Sequence, residues 1–387
     1  ERIIDVAARQ LDIDPMELRS RNLISADNMP FKPALGPSYD SGDFAKNQKI
    51  ALEKANADNL EERREEAKKR GKLLGFGIGN NVESAAPPGQ EWAKIKILED
   101  GTAALFAGST DQGQGHATMY TQIICERLGL APEQIKIVEG DTQTLDAGFG
   151  AGGSKVSGLG GSAVFETARL ILEKGKEIAA QHLEVAVTDI EYNDQTFSVA
   201  GTDRIIALGD VAKIAKSENK DGLLVVGTYE TNAATFPSGC HTCELEVDPD
   251  TGKVEIKKYV AVTDVGNTIN PTQVEGQVRG GIVQALGQVF SEDINYDLAS
   301  GQLLSGSYMD YAMPKAKDMC FIETYDNPSM TNVNPLGVKG AGEIGTGCAV
   351  ATFVNALVDA LSPMNIRHID TPATAETIWQ AIQTTRV

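Results

Sequence analysis

Residues 337–347, with the sequence GVKGAGEIGTG, place five glycines around a single carboxylate, Glu343. The run 348–361, CAVATFVNALVDAL, follows at once, and its apolar residues cover one broad face of a helix. We therefore expect Glu343 on a tight loop that enters the first turn of a buried helix. Glycine lets backbone approach a ligand, and free N–H groups at a helix start attract anions. A carboxylate held there is placed for proton transfer, although an acidic residue near a helix start also has an ordinary role against the helix dipole.

Two further glycine-rich loops precede this one in the chain. Residues 108–116, GSTDQGQGH, lie between a predicted strand and a predicted helix, where glutamine amides and backbone N–H groups could bind phosphate or a polar heterocycle. A simply capped helix start is an equally good interpretation of that loop. Residues 147–161, AGFGAGGSKVSGLGG, contain seven glycines but no Walker or clean dinucleotide fingerprint. Three such loops favour one extended cofactor threaded between two parts of the chain.

Composition limits the class of protein and its partners. The chain has 387 residues, enough for two domains, with 54 acidic and 35 basic residues and a formal net charge of −19. This balance argues against nucleic acid or an anionic membrane surface as a partner. No apolar run is long enough to span a bilayer, and the five scattered cysteines do not suggest a disulfide framework. We expect an acidic, cytoplasmic protein that is not inserted into a membrane.

The pattern of strands and helices indicates an α+β fold. Residues 1–71 are predicted to form an N-terminal helical docking segment and linker, with helices at 1–11 and 16–22, a linker at 31–41 and one charged helix over 43–70. After residue 72, a hairpin, a glycine-opened helix and a further strand occur twice. We therefore predict two related subdomains, 72–225 and 226–387, with mixed sheets flanked by helices and a cofactor between them.

Individual elements follow from local periodicity and turn residues. Strands are predicted at 75–82, 91–98, 103–107, 135–139, 240–247, 254–262, 301–308 and 320–325, and helices at 113–128, 163–180 and 271–288. The sequence Cys240-His241-Thr242-Cys243 has a C-x-x-C spacing, but no second pair completes a zinc site and the segment opens a strand. We do not expect a metal there.

Taken in order, these segments resemble the molybdenum-binding subunit of the molybdenum hydroxylases, the xanthine dehydrogenase and aldehyde oxidoreductase family. The resemblance rests on DQGQGH at 111–116, the 147–161 tract, FPSGCH at 236–241, residues 270–281, SYMDY at 307–311 and the 340–347 loop. It implies a molybdenum–molybdopterin cofactor, in the cytosine dinucleotide form, whose metal is held by the pterin dithiolene without a protein ligand.

The resemblance also implies roles for individual residues. Glu343 matches the general base of a reaction that inserts a water-derived oxygen into a C–H bond of a small heterocyclic or aldehyde substrate. The positions that match cofactor-binding loops are Gln112, Gly113, Gln114, Gly115, His116, Gly153, Ser154, Lys155, Val156, Ser157, Ser162, Lys339, Gly340, Ala341 and Gly342.

The resemblance covers only the later half of that subunit, because the family's Phe-Gly-Gly loop and an early Gln near the metal have no counterpart here. We expect a partner chain that carries the earlier half, and iron–sulfur and flavin subunits that carry the 2Fe-2S clusters and FAD. Two alternatives stay open: a non-catalytic cofactor-binding or scaffold subunit, and a carbon monoxide dehydrogenase-type member. An unrelated glycine-rich nucleotide-binding protein would need a fingerprint that the sequence lacks.

Overall fold

The computed structural model describes residues 1–385. The helices are α1 (Arg2–Leu11), α2 (Pro15–Ser20), α3 (Phe44–Ala55), α4 (Leu60–Lys69), α5 (His116–Leu128), α6 (Gly161–Leu183), α7 (Leu208–Glu218), α8 (Pro271–Phe290), α9 (Ala349–Leu361) and α10 (Ala375–Thr385). The strands are β1 (Leu73–Val82), β2 (Gly89–Ile97), β3 (Ala103–Ala107), β4 (Ile135–Val138), β5 (Ile190–Asn193), β6 (Thr196–Val199), β7 (Ile205–Ala207), β8 (Leu223–Thr231), β9 (Ser238–Val247), β10 (Val254–Asp264) and β11 (Ile322–Asp326).

Two four-stranded mixed sheets have the same internal pattern. In the first sheet, β4 is parallel to β3, and β3–β2 and β2–β8 are antiparallel. In the second, β11 is parallel to β10, and β10–β9 and β9–β1 are antiparallel. Each sheet is built by a hairpin, a helix, a parallel strand and a second helix in that order. The predicted α+β class, with related mixed sheets flanked by helices, is therefore confirmed.

The fourth strand of each sheet comes from the segment that precedes the other sheet's hairpin. β1 lies before β2 in sequence but pairs with β9, from Leu73↔Val247 to Val82↔Ser238. β8 lies before β9 but pairs with β2, from Gly89↔Thr231 to Ile97↔Leu223. The division into 72–225 and 226–387 stays a prediction; β1 lies within the first of these segments but pairs in the second sheet, and β8 straddles the boundary at 225. Each sheet therefore takes its fourth strand from outside its own repeat.

A row of glycines lets α9 lie close against the second sheet. Gly75, Gly77 and Gly79 alternate along β1 and therefore share one face of the strand. A Cβ atom at Gly77 would overlap the carbonyl oxygen of Thr352 in α9. The apolar face of α9 is buried there with residues of β9, β10 and α8, which explains why the run 348–361 is so strongly apolar.

Two predicted elements are wrong. The charged helix over 43–70 is two helices, because Asn56 adopts a left-handed conformation (φ 54°) that ends α3, and a short 3₁₀ turn, Ala57–Asn59, leads into α4. The strand at 301–308 does not form; Leu303 makes only an isolated bridge to Tyr296. The other predicted strands and helices are present, with ends displaced by a few residues. Among residues 1–385, no helix has both the length and the apolarity to cross a membrane.

Candidate active site

The three glycine-rich loops meet around one cavity of about 310 Å³. It lies at the starts of α5 and α8 and beside the turn that precedes α9. Eleven of the residues singled out in the sequence line it: Gln114, Gly115, His116, Gly153, Ser154, Val156, Ser157, Lys339, Ala341, Gly342 and Glu343. Segments that are more than 200 residues apart in the sequence are thereby brought to one place.

Five predicted cofactor-binding residues do not line this cavity: Gln112, Gly113, Lys155, Ser162 and Gly340. The hydroxyl of Ser162 donates to the carbonyl of Gly158 at 2.5 Å and is fully buried inside α6. The amine of Lys155 donates to the carbonyl of Phe149 at 2.9 Å and lies 3.8 Å from the Glu91 carboxylate. These two side chains hold their own loop in shape.

Asp111 organises the first loop. Its carboxylate accepts hydrogen bonds from the backbone N–H groups of Gly113 (2.8 Å), Gly115 (3.2 Å) and His116 (3.0 Å). Burial alone would raise the pKa of Asp111, but these donors outweigh it, so the pKa lies below its ordinary value. Asp111 therefore caps the start of α5, and the neighbouring Gln114 lines the cavity; ligand binding by this loop stays a prediction.

The second and third loops touch through backbone. A Cβ atom at Gly340 would overlap the carbonyl oxygen of Ser154, so only glycine permits this approach. Ser154 itself has a left-handed conformation, with φ of 50°. Its hydroxyl donates to Oε2 of Glu343 at 3.0 Å. The contact between the loops thus fixes a hydroxyl beside the carboxylate.

Glu343 lies in a hydrogen-bonded turn just before α9, on the cavity wall. Its carbonyl accepts from the N–H groups of Thr346 (3.0 Å) and Gly347 (3.2 Å), and α9 begins at Ala349. The residue is exposed. The loop position expected for it is confirmed, and its carboxylate is accessible to a ligand.

Lys339 lines the cavity but does not offer its charge to it. Its amine is fully buried and binds Oδ2 of Asp264 at 2.8 Å and the hydroxyl of Ser329 at 3.0 Å. A buried ion pair with added hydrogen bonds fixes the third loop on the end of β10. Lys339 therefore stabilises the cavity wall and does not present its positive charge to a ligand.

A fourth part of the cavity wall was not predicted from the sequence. It consists of neutral amides before and within the first turns of α8: Asn267, Asn270, Gln273 and Gln277. Asn270 accepts from the N–H of Gln273 at 3.0 Å, and the Gln273 amide donates to the carbonyl of Gly115 at 2.7 Å. The sequence signal was present in Asn270-Pro271, a typical helix start, followed by glutamines one turn apart.

The two cysteines of the C-x-x-C segment lie apart in the structure. Cys240 and Cys243 lie in β9 and are buried in separate apolar clusters, so their thiols do not converge. In the part of the chain that is described, one group of potential ligands forms, from Asp111, His116 and Glu139. Asp111 is already used by three backbone donors, and His116 Nδ1 lies 3.3 Å from Glu139.

The cavity suits a polar ligand that brings its own metal. Its walls offer neutral amides, glycine backbone and helix N-termini, which bind phosphates and heterocycle edges. At Gly115, a Cβ atom would overlap the Gln273 amide, so the glycine lets this amide reach the first loop. The residues present therefore fit a molybdopterin group held through its pterin and phosphate edges. Fold and cavity define an α+β protein with two related four-stranded sheets and a cavity between glycine-rich loops that suits an extended cofactor.

Comparison with known proteins gives the same class. Residues 50–320 match the family model described as "Molybdopterin cofactor-binding domain". The chain is 33% identical over 398 residues to the 6-hydroxypseudooxynicotine dehydrogenase complex subunit gamma of Paenarthrobacter nicotinovorans, covering 99% of this chain and 50% of the relative. It is 32% identical over 404 residues to the carbon monoxide dehydrogenase large chain of Hydrogenophaga pseudoflava, covering 99% and 50%.

A solved structure shares the fold over nearly the whole of this chain. The crystal structure of quinoline 2-oxidoreductase from Pseudomonas putida 86 superimposes with a TM-score of 0.90 and 31% identity, over 99% of this chain and 51% of that one. The chain belongs to the molybdenum-binding subunit family of the molybdenum hydroxylases. It spans about half the length of these relatives.

Proposed function

We propose that this chain is part of the catalytic subunit of a molybdenum-dependent hydroxylase or dehydrogenase. The reaction inserts a water-derived oxygen into a C–H bond of a small heterocyclic or aldehyde substrate, with Glu343 as general base. The observation that carries the proposal is the Glu343 carboxylate, exposed on the wall of the cavity where three glycine-rich loops meet. The chain is similar to a subunit of 6-hydroxypseudooxynicotine dehydrogenase and to quinoline 2-oxidoreductase, and these names favour a nitrogen heterocycle as the substrate.

The cofactor is proposed to be molybdopterin in its cytosine dinucleotide form. The amides of Gln114, Gln273 and Gln277, with the N-termini of α5 and α8, would hold its polar edges and phosphates. When bound, the group supplies the metal that accepts the electrons of the oxidised C–H bond. The residues of this chain then have to bind it, exclude water and handle protons.

Glu343 is suited to the proton-handling task. An exposed carboxylate on the cavity wall can take a proton from an oxygen placed in the cavity, and general bases contribute about 100- to 10,000-fold. The Ser154 hydroxyl donates to Oε2 of Glu343 and holds the carboxylate on the cavity wall. Because Ser154 is fixed by the contact between the second and third loops, the carboxylate is oriented before a substrate arrives.

The partners are proposed from the relatives and from the exposed surface. The relatives carry a second half of similar length, and we propose that this half covers the segment 294–313. Leu298 is 100% exposed there, Met309 93% and Tyr308 87%, which is unusual for adjacent large apolar side chains. The 2Fe-2S clusters and FAD are assigned to further subunits, because the five cysteines here are free and three of them are buried.

The test is Glu343→Gln in the assembled complex. Turnover with a nitrogen heterocycle, an aldehyde and carbon monoxide is measured separately, because the similarity to a carbon monoxide dehydrogenase makes that gas the second candidate substrate. We expect the variant to lose about 100- to 10,000-fold in kcat while it retains molybdenum and pterin. The control is Glu62→Gln on the exposed face of α4, which should turn over normally. Unchanged turnover in Glu343→Gln would refute the assignment of the base.

A further inference from the structure

A second carboxyl group lies beside Glu343, and nothing in the comparisons assigns it a role. Glu83 follows β1 directly, and its backbone N–H donates to the carbonyl of Pro237 at 2.9 Å. Both of its carboxyl oxygens are buried, and neither has a hydrogen-bond partner among residues 1–385. Burying an ionised carboxylate without a partner is costly, so such a group tends to hold its proton.

The backbone fixes Glu83 near the site. In the segment that begins with it, the Ala86 N–H donates to the carbonyl of Gly153 at 2.9 Å, and Ala85 pairs with Thr235. A Cβ atom at Gly340 would lie 2.9 Å from the Cβ of Ala85. The segment therefore packs against both loops that carry Ser154 and Glu343.

Among residues 1–385, no cationic side chain pairs with the Glu83 carboxyl group. Among its described neighbours, the groups that act on its ionisation are the Ser154 hydroxyl and the Glu343 carboxylate. The second loop also carries Lys155, whose amine is bound to the Phe149 carbonyl and faces Glu91. The third loop carries Lys339, whose amine is bound to Asp264. Residues 235–238, which line the other side, are TFPS and contain no titratable side chain.

Burial and the neighbouring negative charge both raise the pKa of Glu83. Burial raises the pKa of Glu83 to about 7, the negative charge of Glu343 adds to the rise, and the Ser154 hydroxyl opposes it. Two carboxyl groups in one site do not both ionise readily, and the more buried one keeps the proton.

We infer that Glu83 and Glu343 form a carboxyl pair that holds one proton, carried by Glu83, the buried member. Glu83 is thus a positioning residue: it sets how much negative charge stands around Ser154 without itself lining the cavity. The catalytic consequence rests on the proposed function, whereas the shared proton is a property of the chain alone. Above neutral pH Glu83 loses this proton, and its negative charge then faces Glu343 and the Ser154 hydroxyl.

The test is an infrared pH titration of the protein with its partner chains. The wild-type minus Glu83→Gln difference spectrum should show the carbonyl stretch of a protonated carboxylic acid at acidic pH, and this band should titrate away around pH 7. Two variants shift the midpoint in opposite directions. Glu343→Gln should move it to lower pH because a like charge is removed, and Ser154→Ala should move it to higher pH because a nearby hydroxyl that favours the ionised form is lost.

The outcomes separate this inference from the proposed function. Absence of the band at acidic pH, or a midpoint that Glu343→Gln does not move, would overturn the shared proton. Glu83→Gln keeps the size and shape of the side chain, and a melting temperature that matches wild type at acidic pH, together with retained cofactor, confirms that it folds. A titrating band together with unchanged turnover of Glu343→Gln would support the pair and refute the proposed base.

Discussion

The geometry around Glu343 follows from two glycines and one serine. Gly340 allows the third loop to touch the backbone of the second loop, and that contact places the Ser154 hydroxyl 3.0 Å from the Glu343 carboxylate. Gly115 does the same at the opposite wall, where the Gln273 amide reaches the first loop. In this protein glycine therefore serves close approach between segments more than flexibility.

Glu83 makes the stability of the protein depend on pH. Its folded-state pKa of about 7 lies above the 4.5 of an unperturbed glutamate, so the folded state binds this proton more tightly. Stability is greatest below the lower value, falls as pH rises towards the higher value, and stays low above it. After allowance for solvent screening, the loss is about 1–2 kcal/mol.

Glu83→Gln should remove this part of the pH dependence. Thermal unfolding of wild type and variant is compared at about pH 5 and about pH 8. We expect the melting temperature of the variant to rise relative to that of wild type at the higher pH, because an uncharged amide replaces a buried carboxylate. Parallel melting curves at both pH values would contradict a raised pKa in the folded state.

The loop position of Glu343 could be predicted from the sequence, whereas the buried environment of Glu83 could not. The signal for Glu343 is local, since five glycines and an apolar helix surround it within 25 residues. Glu83 stands after an ordinary strand, and its environment is created by Ser154 and Glu343, which are distant in the chain. Lys339 was predicted to bind the cofactor through its loop, but its buried partner, Asp264, lies 75 residues away and gives no local signal.

At the scale of elements, β1 and α9 form the contact on which the second sheet depends. The alternating glycines of β1 remove side chains from one face, and α9 occupies the space. Ala356 and Ala360, the small residues on α9, face the same groove. Close packing of this kind leaves no room for an added methyl group.

Gly77→Ala should destabilise the protein by about 3 kcal/mol, because its Cβ would overlap the Thr352 carbonyl in α9. The matched control is Gly276→Ala in α8, where an added Cβ would meet no atom within 4 Å apart from its chain neighbours and the nearby backbone of its own helix. The control should gain about 0.5–1 kcal/mol from helix propensity. Denaturant unfolding of both variants gives the comparison, and equal stabilities would show that α9 does not depend on the glycine row.

Elements with strong periodicity were predicted well, and those decided by single residues or distant pairing were not. The helices 271–288 and 348–361 carry clear apolar faces and are present as α8 and α9. The break between α3 and α4 depends on the left-handed conformation of Asn56, which the charged sequence around it does not reveal. The pairing of β1 with β9 joins strands about 165 residues apart and has no local signature.

At the scale of the molecule, the exchanged strands bind the two repeats into one framework around the cavity. β8 completes the sheet that leads to the first loop, and β1 completes the sheet under the third loop. The cavity walls therefore come from both repeats, and neither repeat alone contains the set of amides and glycines that line it. This arrangement accounts for a single extended ligand better than for two small ones.

The most direct test of the account is the molybdenum and pterin content of the native complex that contains this chain. We predict molybdenum close to one atom per chain, with a pterin cytosine dinucleotide released on denaturation. An intact native complex that contains neither molybdenum nor pterin would contradict the account.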